Sequence, residues 1–218
     1  MVSSSSVQTT HAGPARRALR TAILAGLALF VSYTALKALG SPWAVDDFPE
    51  ALAIKAELMP VIFPLHMISG GLALVLVPLA LLARRWPRWH KLAGRIAAAD
   101  VAVAGLTAFP VALIAPVTWG SALGFSAQGA VWLGLLALGI ANIRRRRPAA
   151  HRAAMLLMAA TTSGAVFFRV YLALYAMIGG FRHYELFYAF DAWIAWSLPL
   201  LAMAIWLKRS GASPFDPR

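Results

Sequence analysis

The chain has 218 residues, 61% of them hydrophobic and only 13% charged, with a formal net charge of +12. A soluble domain of that size has too little interior to hide so much apolar side chain, so the composition points to an integral membrane protein. No cysteine is present, which excludes disulfides, thiolate metal sites, iron–sulfur clusters and covalently attached c-type haem. The positive charge is not the footprint of nucleic-acid binding, because the basic residues cluster at the ends of apolar runs, where membrane topology puts them.

Residues 1–15, "MVSSSSVQTTHAGPA", are polar and Ser/Thr-rich and read as a disordered tail. Arg16, Arg17 and Arg20 then lead into the first apolar run. That run is long for a signal peptide and no A-x-A-like site follows it cleanly, so the expectation is a retained span. Six apolar runs lie near 19–39, 59–83, 96–117, 127–143, 153–179 and 188–207. Each approaches the roughly 20 residues that cross a hydrocarbon core of about 30 Å. Lipid satisfies no backbone groups, so all six are expected to be helices. The expectation is an all-α integral membrane protein: one six-helix transmembrane bundle over 16–210 and a short C-terminal tail over 211–218.

Orientation follows from the loops. Sixteen of the twenty basic residues fall on one side of a six-helix thread: before the first run, between the second and third, between the fourth and fifth, and after the sixth. The opposite loops, "SPWAVDDFPEALAIKAE", "TWGSALGF" and "GGFRHYELFYAFD", are neutral or acidic. Both termini are therefore expected in the cytoplasm, with the protein in the inner (plasma) membrane. Trp43, Trp86, Trp89 and Trp119 fall at the expected interfaces and read as anchors.

Two corners repeat one pattern, Pro-x-x-His-[Lys/Arg]-x-Ala: Pro87, His90, Lys91, Ala93, and Pro148, His151, Arg152, Ala154. Proline suits a first helical turn, so each corner should open a helix with a histidine one turn in. Free N–H groups, the positive helix end and Arg85, Arg95, Arg147 and Arg152 make each corner able to hold an anion, such as lipid phosphate or a haem propionate. A duplicated hairpin obeying the topology rule explains the arginines equally well.

A second constellation emerges from depth. His66 lies 18 residues before Arg84, Arg169 18 after His151, and Asp191 17 before Lys208. At 1.5 Å per residue all three sit about 25–27 Å from the basic boundary, in one layer. A lone arginine at that depth is costly, so Arg169 and Asp191 are expected to form a buried charged pair with His66 beside it. Asp100 is a further acid, close to the basic end of the third run.

The segments "HMISGGLALVLVPLALL", "RWHKLAGR", "RRRRPAAHRAAMLLMAATTSGAVFFRVYL" and "FDAWIAWSLPLL" follow one another from His66 to about Trp206. In that order the stretch resembles the prokaryotic membrane family catalogued as domain of unknown function 2306. The resemblance implies a multi-helix membrane domain and carries no activity with it. The last segment departs from the family pattern: "SLPLL" stands where an asparagine commonly follows Trp-x-x-Trp.

Three functional readings stay open. In the first, electrons cross the membrane through b-type haem ligated by His66 and His183 in one leaflet and His90 and His151 in the other, the four arginines holding propionates; the haem iron is then the only metal. In the second, His66, Arg169 and Asp191 serve a small-solute or proton-coupled transporter. In the third, the chain is a non-catalytic subunit or assembly factor. The lipid bilayer is the partner common to all three; a homo-oligomer or a redox partner would accompany the first and third. Walker A, G-x-G-x-x-G and H-E-x-x-H motifs are absent, which leaves no basis for hydrolase, kinase or nucleotide-binding readings.

Overall fold

The computed structural model describes residues 25–26, 29–37, 39–40, 50–179 and 182–215. The expected tail over 1–15, parts of the first apolar run and residues 216–218 lie outside the described residues; within that run, 25–26, 29–37 and 39 are helical. Seven named helices follow: α1 (Glu50–Leu58), α2 (Ile62–Leu82), α3 (Pro87–Leu113), α4 (Trp119–Arg144), α5 (Pro148–Thr162), α6 (Gly164–Gly179) and α7 (Tyr184–Arg209). A 3-10 turn, Ala83–Arg85, extends α2, and no strand occurs among the described residues. Five segments are long and apolar enough to cross a membrane: Ile62–Arg85, Pro87–Leu113, Trp119–Arg144, Pro148–Ile178 and Tyr184–Arg209. They take up the second to sixth apolar runs, so the count of six rests on a run that is only partly among the described residues.

Four expectations need correction. Helix α1 occupies a segment read from sequence as loop. Its Lys55, only 6% exposed, donates from Nζ to the carbonyls of Val111 (2.7 Å) and Ile114 (2.5 Å). Those are carbonyls at the end of α3, where a cation meets the negative pole of the helix. Burial pushes the Lys55 ammonium below the ordinary lysine range. Helix α3 begins at Pro87, as the corner's proline predicts, and so ahead of the apolar run near 96, because the charged turn 88–91 is helical despite its low hydropathy. Helix α4 begins at Trp119, not near 127, so "TWGSALGF" is mostly helix. Thr118 caps it reciprocally: its side chain accepts from the Ser121 N–H (3.0 Å), and the Ser121 hydroxyl accepts from the Thr118 N–H (3.3 Å). The fourth correction concerns the fifth run, which is two helices.

Helix α4 lies at the centre of the bundle, packed against α3, α5 and α7, while α2 pairs with α3. Small residues let the backbones approach, as lipid-embedded helices require. A Cβ placed on Gly124 would lie 2.9 Å from the carbonyl oxygen of Ala192, so α4 and α7 touch there backbone to backbone. A Cβ on Gly164 would lie 2.7 Å from that of Trp196. One core cluster joins Ala73 and Val77 of α2, Val101 and Ala104 of α3, Trp132 and Leu136 of α4, and Met158 of α5.

The span Pro148–Ile178 breaks at Ser163, its midpoint, and therefore near mid-membrane. Glycine beside serine is a common site of such interruptions. Backbone carbonyls at the break are taken up by side chains. Ser163 Oγ donates to the Ala160 carbonyl (2.6 Å), and Gln128 Nε2 on α4 donates to that of Thr161 (3.2 Å). Beyond it, the N–H groups of Val166 and Phe167 both donate to the Ser163 carbonyl (2.9 and 3.1 Å), which starts α6. Trp132 Nε1 donates to Thr162 Oγ1 (2.9 Å), tying the end of α5 to α4. A polar layer thus crosses the bundle at the break, with its donors supplied from inside the protein.

Gly124→Leu and Gly164→Leu should each lower stability by about 1–3 kcal/mol through forced separation of α4, α6 and α7. Gly134, whose Cβ would meet nothing within 4 Å, should tolerate alanine without effect. Thermal unfolding in detergent, followed by size-exclusion fluorescence, reads all three; unchanged midpoints for the two leucine variants would contradict the contacts.

Candidate functional site

The two repeated corners have the same internal bond. His90, one turn into α3, places Nδ1 2.9 Å from the carbonyl oxygen of Ala80 on α2. His151, one turn into α5, places Nδ1 2.8 Å from that of Gly139 on α4. A carbonyl only accepts, so Nδ1 carries a proton in both rings, and Nε2 is the ring nitrogen left for any further contact. Each histidine thereby fastens the start of its helix to the end of the preceding one. No hydrogen bond or ring contact joins His90 to His151 among the described residues; each is tied within its own hairpin. Arg85 and Arg95 belong to the α2–α3 hairpin and Arg147 and Arg152 to the α4–α5 hairpin; all but the half-buried Arg147 are exposed. His183 stands apart, exposed at the start of α7 with left-handed backbone (φ +56°).

At the opposite end of the bundle, His66 Nδ1 lies 3.1 Å from the Ala104 carbonyl and 3.2 Å from Thr107 Oγ1, both on α3. Arg169 on α6 reaches back one turn, and its Nη1 donates to the Ala165 carbonyl (2.7 Å). The guanidinium therefore lies on the side of Arg169 that faces the break, within electrostatic range of His66 and of Tyr188 on α7. Asp191, on α7, is completely buried, and neither carboxyl oxygen has a hydrogen-bond partner. The expected Arg169–Asp191 bond is not formed. Tyr188 is in electrostatic range of both. Its ring is held edge-on by Phe168 (5.2 Å) and Phe125 (6.0 Å), whose own centroids are 5.2 Å apart.

Tyr184, Tyr188 and Asp191 recur at spacings of four and three, which puts them on one face of α7. That stripe is legible in "YELFYAFD" as a helical repeat, although the two tyrosines carry no charge that would mark them. The break at Ser163 was also foreshadowed, by "TTSG". Asp100 is half-buried on α3, with Oδ2 enclosed and unpartnered.

The family model described as "Predicted membrane protein (DUF2306)" matches residues 63–207, about two-thirds of the chain. The chain belongs to that family. No curated protein and no solved structure matches it. The matched region of this DUF2306 protein takes in both corners, the break and the Asp191 stripe, and leaves α1 with Lys55 outside. Among the described residues no three His, Asp or Glu side chains converge as a metal site would require.

Because Asp191 is dry and unpartnered, removing its carboxyl group should not destabilise the protein. Asp191→Leu, close in volume, is expected to raise stability by about 1–3 kcal/mol, the cost of an unsatisfied buried polar group. Asp191→Leu and Arg169→Leu should combine additively within about 0.5 kcal/mol. A double-mutant cycle with coupling well beyond that would establish a direct ion pair and overturn this geometry.

Proposed function

We propose that this protein is a proton-coupled membrane transporter for a small anionic solute. The observation that carries the reading is the mid-membrane break at Ser163 with the unpartnered Asp191 carboxyl group on the neighbouring α7. Transporters place substrate and coupling-ion sites where spanning helices are discontinuous, and the N-terminus of the half-helix favours negative charge. Helix α6 starts at the break, and Arg169 bends its guanidinium back over the first turns of that helix. A planar guanidinium with spare N–H donors binds a carboxylate or phosphate group through paired hydrogen bonds. Asp191 supplies a proton-carrying group, since an ionisable side chain in the membrane is kept for ion or proton movement more often than for stability.

Purified protein in proteoliposomes should give anion-dependent charge or proton movement, screened with small carboxylates and inorganic phosphate on a solid-supported membrane. Asp191→Asn should lower the coupled flux by at least about tenfold, as should Arg169→Gln, if each group carries 1.4 kcal/mol or more of the cycle's barrier. Wild-type vesicles that respond to none of these anions under an imposed pH gradient would sink the proposal.

Electron transfer through b-type haem is the second reading. It draws support from His66, His90 and His151, each of which has Nδ1 against a backbone carbonyl and Nε2 as the available ligand nitrogen. Bound haem would supply one-electron chemistry; the histidines would hold it and Arg85, Arg95, Arg147 and Arg152 would meet its propionates. A reduced-minus-oxidised spectrum of the purified protein, before and after incubation with haem, decides this: no Soret change in either sample rules it out.

For either activity the basic end is placed in the cytoplasm of a plasma-membrane protein, since both corners and the α7 end collect the arginines and lysines. Ala149→Cys, exposed and unique in a cysteine-free chain, should react with an impermeant maleimide only after cells are opened. Labelling in intact cells would reverse the orientation.

A further inference from the structure

On the outer surface of the bundle, at the basic end, α2 and α3 flank a groove of about 550 Å³. Leu79, Leu82 and Ala83 form one wall, and Trp86, Trp89 and Ile96 the other. Both indoles are well exposed, at 60% and 65%. The walls are held at fixed separation by the His90 bond to Ala80 and by Trp86, whose N–H donates to the Ala83 carbonyl (2.8 Å). Interleaved with the tryptophans along the chain are Arg84, Arg85, Arg88 and Lys91, all exposed. No aspartate or glutamate occurs from 58 to 99, so these charges have no acidic neighbour along the hairpin.

We propose that this groove is a binding site for an anionic phospholipid, with an acyl chain along the apolar walls and the phosphate among Arg84, Arg85, Arg88 and Lys91. Charge complementarity selects the occupant. A second copy of the chain would bring the same four cations toward each other, at a repulsive cost. A free phosphate would leave the apolar walls in contact with nothing it can use. A zwitterionic lipid fills the walls but carries its own cation into the basic cluster. A phospholipid with net negative charge satisfies both parts, and tryptophan rings at the boundary suit the carbonyl region of its headgroup. The second corner is a built-in comparison: it has four consecutive arginines, Arg144–Arg147, but no tryptophan anywhere from 144 to 152.

The test uses the full chain reconstituted in phosphatidylcholine vesicles, titrated with chain-brominated phosphatidylglycerol or chain-brominated phosphatidylcholine. Subtracting the signal of Trp86→Phe/Trp89→Phe isolates the quenching at the groove. Brominated phosphatidylglycerol should quench that component at a mole fraction at least about five-fold lower than its zwitterionic counterpart, the gain expected from even one basic group near anionic lipid. Arg84→Gln/Arg88→Gln/Lys91→Gln should remove the preference, while Arg144→Gln/Arg145→Gln/Arg146→Gln, with the same loss of charge, should keep it. In the wild type, high salt should reduce the preference independently of any variant's folding. Equal quenching by the two lipids, loss of preference in both triple variants, or a preference indifferent to salt would each overturn the site.

Discussion

A carbonyl inside a bilayer has no water to turn to, and this chain is organised by where it finds donors instead. At the break, Ser163 and Gln128 supply them to Ala160 and Thr161. At the end of α3, Lys55 reaches in from α1 to Val111 and Ile114. Two histidines do the same at the hairpin corners, and Asn142 Nδ2 donates to the Pro214 carbonyl (2.8 Å), fixing the segment that follows α7 against α4. The side chains that first look like candidates for chemistry are therefore also those that let helices end, bend and turn in apolar surroundings. Their second capacities, a free Nε2 or a spare guanidinium edge, remain after the first is satisfied.

This double use explains how much of the molecule could be read from the chain. Hydropathy located the spans because lipid demands apolar length, and that demand is local. It misplaced the starts of α3 and α4, since charge at Arg88 and Lys91 and polarity at Ser121 lower hydropathy, while Pro87 at a first helical position and the Thr118–Ser121 cap still start helices there. The repeated corner was visible as a motif, but its partner was not. A histidine's acceptor ten or twelve residues back depends on how two helices lean together, and no spacing rule encodes that. The layer shared by His66, Arg169 and Asp191 followed from counting residues along straight helices. Whether two members touch depends on rotation about the helix axis, which residue counting does not give.

Close packing sets the rigidity around the candidate site. Gly124 against Ala192 and Gly164 against Trp196 bring α4, α6 and α7 together at Asp191's level and about one turn further toward the basic end. Larger residues at these glycines would loosen the walls that keep water from the carboxyl group. Helix α5 is tied to α4 through Trp132 and Gln128, whereas α6 makes its main contact with α7. Both halves also pack against α7, so a change of angle at Ser163 would have to be made along that shared neighbour.

The histidine bonds also bear on how the bundle assembles. Their sequence separations are only 10 and 12 residues, whereas Trp193 to Gly120 spans 73 and Asn142 to Pro214 spans 72. Closing a short loop costs little chain entropy and closing a long one costs more. Each hairpin can thus be locked as soon as its second helix leaves the ribosome and enters the bilayer, before the rest of the chain exists. The last helix must then find a groove already built. Its docking is the step at which a nascent chain of this kind is most exposed to membrane quality control, and an imidazole at each corner shortens that exposure by having the groove ready.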